Sequence, residues 1–168
     1  MTNEELQAWF AGRLPDGWFT SAPTVSADSE EILVVGTLAE PELGEGTTED
    51  ARRQARAARI DRFREETREQ RMKVASEAER SFGRKVAWGA ACGDVTKHFT
   101  TLSIPVMTRL RMPERITLDT LVDAGVARSR SEALAWCVRL VGRHQKDWIA
   151  ELREALVKVD EVKAKGPA

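Results

Sequence analysis

The chain has 168 residues, 42 % hydrophobic and 32 % charged, enough to build one ordinary domain or two small ones around a packed core. No apolar run approaches the roughly 18 residues that span a bilayer, and the acidic opening "MTNEELQAWF" lacks the basic segment of a secretory signal. The formal net charge of −1 conceals an asymmetry. Residues 1–50 carry one basic and eleven acidic side chains, a balance of −10, whereas residues 51–93 stand at +6 and 94–147 at +3. The total therefore does not exclude a polyanionic partner.

In chain order, "NEELQAWFAGRLP" is a short helix with Leu6, Trp9 and Phe10 on one face, ended by Pro15-Asp16-Gly17. A weak strand around Thr24–Ser26 and a buried strand Ile32–Val35 follow, joined by the turn "ADSEE". The polar linker "AEPELGEGTTED" is the expected domain boundary. From Thr48 to Arg80 there is no Gly or Pro, and Thr48 precedes two acids, the N-cap and acidic first turn of one long helix. Its loose seam is Ile60, Phe63, Thr67, Gln70, Val74 and Phe82, too polar for a coiled coil. "FGRKVAWGAACGD" lacks the order of a phosphate loop and reads as a turn or a second helix piece with Trp88 in a core. "KHFTTLSIPVMTRLRMP" is a second strand region interrupted by Pro105.

Within that region "VMTRLRM" alternates Arg109 and Arg111 with Leu110 and Met112, a period of two that puts the arginines on one strand face. Pro113 suits the first turn of a helix carrying Ile116, Leu118, Leu121 and Val122, which Gly125 stops. "RSRSEAL" then opens a second helix with a capping box, Ser129 as cap and Glu132 reaching back. Leu134, Cys137, Val138 and Val141 form its expected buried face, flanked by Ala133 and Leu140, and Gly142 closes or kinks it. One strand and two short helices cannot bury an adequate core alone, and a lone strand leaves open edges. Pairing with a second copy about a two-fold axis cures both defects. Residues 145–162 add an amphipathic helix with Trp148, Ile149, Leu152, Leu156 and Val159 on one face.

The stretch "MTRLRMPERITLDTLVDAGVARSRSEAL" resembles the ribbon-helix-helix module of bacterial repressors and antitoxins, the MetJ/Arc/CopG type, over residues 106–143. The resemblance implies a homodimer whose two-stranded ribbon enters the major groove of double-stranded DNA. Met107, Arg109 and Arg111 would face the bases and Thr108, Leu110 and Met112 the core. The start of the second helix would hold a phosphate through the N–H groups of Arg130 and Ser131, capped by Ser129, with the side chains of Arg128 and Arg130 assisting. The chain departs from the usual layout in having about 100 residues before the strand.

No catalytic constellation is present. His98 and His144 are the only histidines, and they do not pair in sequence with Cys92, Cys137 or each other at metal-ligand spacing. The expectation is a cytoplasmic, bacterial, non-enzymatic protein without metal or cofactor. It is α+β and mostly helical: a small unit over 1–45, a charged helix and connector over 46–95, and the ribbon-helix-helix module with its last helix over 96–168. A transcriptional regulator or nucleoid-associated protein is the first reading. The second is an antitoxin-like or autoinhibited interaction module, its acidic N-terminal region taking a protein partner or covering the ribbon. The third is an RNA- or ribosome-associated protein using the arginines of 51–73.

Overall fold

The computed structural model describes residues 3–100 and 102–166, which form six helices and one four-stranded sheet, an α+β fold that is mostly helical. The chain divides into two compact units, Met1–Pro105 and Val106–Ala168. The division falls after Pro105 and not at the acidic linker.

In the first unit, α1 (Asn3–Arg13) buries Leu6 and Phe10, one turn apart, and packs against β1 (Thr24–Ala27). The β1–β2 turn is held by Asp28, whose Oδ1 accepts from the N–H groups of Glu30 (2.9 Å) and Glu31 (2.8 Å). Strand β2 (Glu31–Thr37) runs antiparallel to β1 and parallel to β3 (Lys85–Cys92), with Ile32 opposite Val86 and Val34 opposite Trp88. A parallel pair needs a long crossover, supplied here by α2 (Glu49–Glu66) and α3 (Arg68–Phe82). Gly93, at φ 55°, turns the chain into β4 (Val95–His98), antiparallel to β3. Gly36 is required by packing: a Cβ there would lie 2.1 Å from the Phe19 ring.

Two segments of this unit depart from expectation. The helix expected over 48–80 is broken at Thr67 (φ −98°, ψ 3°), whose hydroxyl donates to the carbonyl of Phe63 at 2.5 Å. That bond lets α2 and α3 each lie against β3. Of the expected seam, Ile60, Phe63, Thr67 and Val74 are buried; Gln70 is exposed and Arg71 is buried in its place. "FGRKVAWGAACGD" is a strand and a hairpin turn rather than a helix piece. Val86, Trp88, Ala90 and Cys92 pack into the core, while Gly89 and the alanines hide the alternation. Trp88 lies in that core, edge-on to Phe10 at 6.0 Å, and Trp18 stands perpendicular to Phe63 at 5.4 Å.

The second unit contains α4 (Met112–Asp123), α5 (Arg130–His144) and α6 (Lys146–Lys165). Gly125, left-handed at φ 74°, ends α4 as expected, and α5 runs through Gly142 to break at Gln145. Leu118, Ala127 and Ala133 form its buried cluster, with Leu110, Leu121, Val122, Leu134 and Cys137 half-buried around it. Met112, expected in the core, is 63 % exposed, and Thr108, Val138 and Val141 are exposed too. Of the expected strand region, Lys97 and His98 belong to β4, Thr101 lies outside the described residues, and residues 102–111 pair with no strand. A strand exists only through a hydrogen-bonded neighbour, and 106–111 has none among the described residues.

Candidate nucleic-acid interface

Residues 106–111 lead into α4; Arg111 is its N-cap, extended at φ −79°, ψ 173°, with no side-chain cap bond. Arg115, a residue to which the sequence assigned no role, reaches back one turn and donates to the carbonyl of Leu110 at 2.7 Å, tying the segment to the helix. Leu110 packs inward. Met107 is 94 % exposed, and Arg109 and Arg111 are exposed with no carboxylate partner among the described residues.

The start of α5 is close by. A groove of about 350 Å³ is lined by Met107 and Thr108 of the segment together with Arg115, Arg130, Ser131 and Leu134. Of the residues named from sequence, the groove brings together Met107, Arg130 and Ser131; Arg109, Arg111, Arg128 and Ser129 are not among its lining. Ser129 caps α5, its hydroxyl accepting from the N–H of Glu132 at 3.2 Å. The reciprocal bond differs from a capping box by one residue: the Glu132 carboxylate accepts from the N–H of Arg128 at 2.8 Å, outside the cap. The first-turn N–H groups of Arg130 and Ser131 carry no hydrogen bond among the described residues, leaving two donors at the positive end of the helix dipole.

The arginines at the start of α5 differ from those of the 106–111 segment. Arg128 pairs with Glu132 at 3.3 Å, and Arg130 makes a bidentate pair with Asp119 of α4, both bonds at 2.6 Å. Their side chains, expected on a phosphate, are engaged by their own chain. Asp119, eleven positions before its partner, carried no sequence signal. The Arg130 guanidinium holds the Asp119 carboxyl below the usual range, and the Arg128 N–H, with the Arg128 side chain, does the same to Glu132.

A carboxylate with a depressed folded-state pKa stabilises the fold above its unfolded pKa, and that stabilisation disappears as pH falls through the folded value. Helical circular dichroism of Asp119→Asn should therefore lose less between neutral pH and acid than the parent does. Equal acid sensitivity in the two proteins would show that the Arg130–Asp119 pair does not contribute.

No described helix is long and apolar enough to cross a membrane. Residues 4–98 match the family described as Rv1265-like protein, N-terminal domain, and residues 111–163 match the Mb1296 C-terminal domain, so each match falls inside one compact unit. The chain is similar to uncharacterized protein Mb1296 of Mycobacterium bovis and uncharacterized protein Rv1265 of Mycobacterium tuberculosis. It is 55 % identical to each over 159 residues, covering 95 % of this chain and 69 % of the relative. No solved structure is a significant match.

Proposed function

The chain belongs to the Rv1265-like family, and for this member we propose a homodimeric, cytoplasmic protein that binds double-stranded DNA as a transcriptional regulator or nucleoid-associated protein. Residues 106–111 of two copies pair as an antiparallel ribbon in the major groove. The observation that carries this reading is the contrast among the arginines of the second unit. Arg128 and Arg130 are matched by carboxylates, while Arg109 and Arg111 stand exposed and unmatched, among the described residues, on a segment that pairs with no strand. Arginine presented from a strand fits guanine O6 and N7 through two parallel N–H bonds. The N–H groups of Arg130 and Ser131, residues of the groove that Met107 also lines, supply a phosphate contact that fixes the register.

The acidic N-terminal region finds basic partners within its own unit. Arg56 binds Glu40 at 2.8 Å and Glu49 at 2.9 Å, which takes part of the −10 charge without involving the ribbon.

A mobility-shift assay across several salt concentrations tests the proposal. With about three phosphates neutralised per protomer and roughly 0.9 counterion released at each, log affinity falls against log salt with a slope of about −5. Absence of a shift with any duplex at low salt, or affinity independent of salt, overturns it.

A further inference from the structure

The first unit contains a second arginine cluster, with a different setting. An open cavity of about 620 Å³ lies where α2 meets α3, walled by Arg64, Arg68, Arg71, Met72, Trp88 and Phe99 together with other residues of the unit. Its size is that of a small-molecule site. Arg71 is only 7 % exposed. Its Nε donates to the Thr67 hydroxyl at 3.0 Å and its Nη2 to the carbonyl of Arg64 at 2.6 Å, while the guanidinium carbon sits 4.8 Å from the Phe99 ring centre. Arg64 approaches the same ring at 5.9 Å.

A buried cation is normally matched by an anion, because leaving it unmatched costs several kcal/mol. The largely buried Arg56 side chain of this unit follows that rule, with Glu40, Glu49 and Asp94 as its partners. Arg64, Arg68 and Arg71 have no carboxylate within ion-pair distance among the described residues. Glu65 and Glu79 also line the wall, and Glu79 is bound by Lys85 at 2.8 Å. A structural staple at the Thr67 break would account for the bonds from Nε and Nη2. It does not account for two further arginines converging on the same cavity and raising the charge there. Burial, then Arg64 and Arg68, make the protonated state of Arg71 less favourable than usual, which an anion in the cavity would reverse.

We propose that this cavity binds a small organic anion: a phosphate ester or carboxylate, held by Arg71 with Arg64 and Arg68, on a flat apolar body that lies against Phe99, Trp88 and Met72. Guanidinium groups grip both oxyanions through paired N–H bonds, and the rings and the thioether supply the apolar wall. The site is in the first unit and stands independently of the DNA reading.

The test is a nitrogen–proton NMR titration of the full chain with phenyl phosphate, benzoate, inorganic phosphate and benzyl alcohol. The expected result is saturable shifts of the Arg64–Ser76 amides and the Trp88 indole with phenyl phosphate or benzoate, whichever head group the site takes. Inorganic phosphate should bind more weakly and benzyl alcohol should give no saturation. Arg71→Met keeps the apolar stem and should weaken binding roughly tenfold or more, through loss of a charge-assisted pair. Arg64→Gln with Arg68→Gln, both at exposed positions, should do the same if Arg71→Met fails to fold. Three outcomes overturn the proposal: no saturation by either aromatic anion, equal binding of benzyl alcohol, or undiminished binding in the folded variants. Inorganic phosphate binding as tightly as phenyl phosphate overturns the flat body, and displacement of phenyl phosphate by duplex DNA makes the cavity a nucleic-acid contact instead.

Discussion

Replacing Arg109 and Arg111 together by alanine is expected to lower DNA affinity on the order of a thousandfold while leaving the thermal melt unchanged. Each well-formed arginine–guanine pair contributes about 1–3 kcal/mol. A dimer presents four such arginines, so the low end of that range sums to about 4 kcal/mol, close to three decades at about 1.4 kcal/mol each. The melt is spared because neither side chain holds anything in the fold: both are exposed and neither caps, pairs or packs among the described residues. A lysine pair at the same positions separates two versions of the idea. Lysine keeps the charge but loses the planar fork. If bases are read, Arg109→Lys with Arg111→Lys drops to the affinity for unrelated duplex; if only phosphates are met, it binds nearly as the parent does. Unchanged binding of the alanine variant in fluorescence anisotropy would remove the ribbon arginines from the mechanism.

What could be read from the chain depended on whether its cause was local. Strand β2 was legible because "EEILVV" combines branched residues with a turn, and Gly125 and Ser129 because caps depend on a few neighbouring atoms. The break at Thr67 was not legible. Nothing in its composition opposes a helix, and the interruption comes from its hydroxyl on the Phe63 carbonyl and from packing both segments on β3. Strand β3 was obscured by Gly89, Ala90 and Ala91, whose small side chains carry little hydrophobic signal though the strand is central to the sheet. At the candidate interface, Arg109 and Arg111 could be singled out by alternation alone. The engagement of Arg130 could not, because its partner Asp119 sits on the preceding helix. Arg71 was misplaced for a related reason. Positions 70 and 71 both fit three/four spacing after Thr67, and it is Arg71, four residues on, that is buried over Phe99.

The proposed ribbon depends on a second face of the same unit. The second unit buries only Leu118, Ala127 and Ala133 outright, while Met112, Ile116, Val126, Val138 and Val141 stay exposed on or beside α4 and α5. So small a core cannot offset the chain entropy of its three helices, so the proposed dimer must cover this face. Val138→Asp places a charge in it. An unmatched buried charge costs about 3–5 kcal/mol, and two-fold symmetry places it in both protomers, so the dimer is destabilised by about 6–10 kcal/mol. At about 1.4 kcal/mol per decade its dissociation constant rises by at least about four orders of magnitude. Sedimentation equilibrium at micromolar protein should then find a monomer, and DNA binding should fall with it, because half a ribbon has no paired strand to present. Arg139→Asp puts the same charge on the polar side of α5 and should remain dimeric. A Val138→Asp protein that still sediments as a dimer would place the contact between copies elsewhere. Residues 106–111 would then lack their pairing partner, and the DNA reading would fail with it.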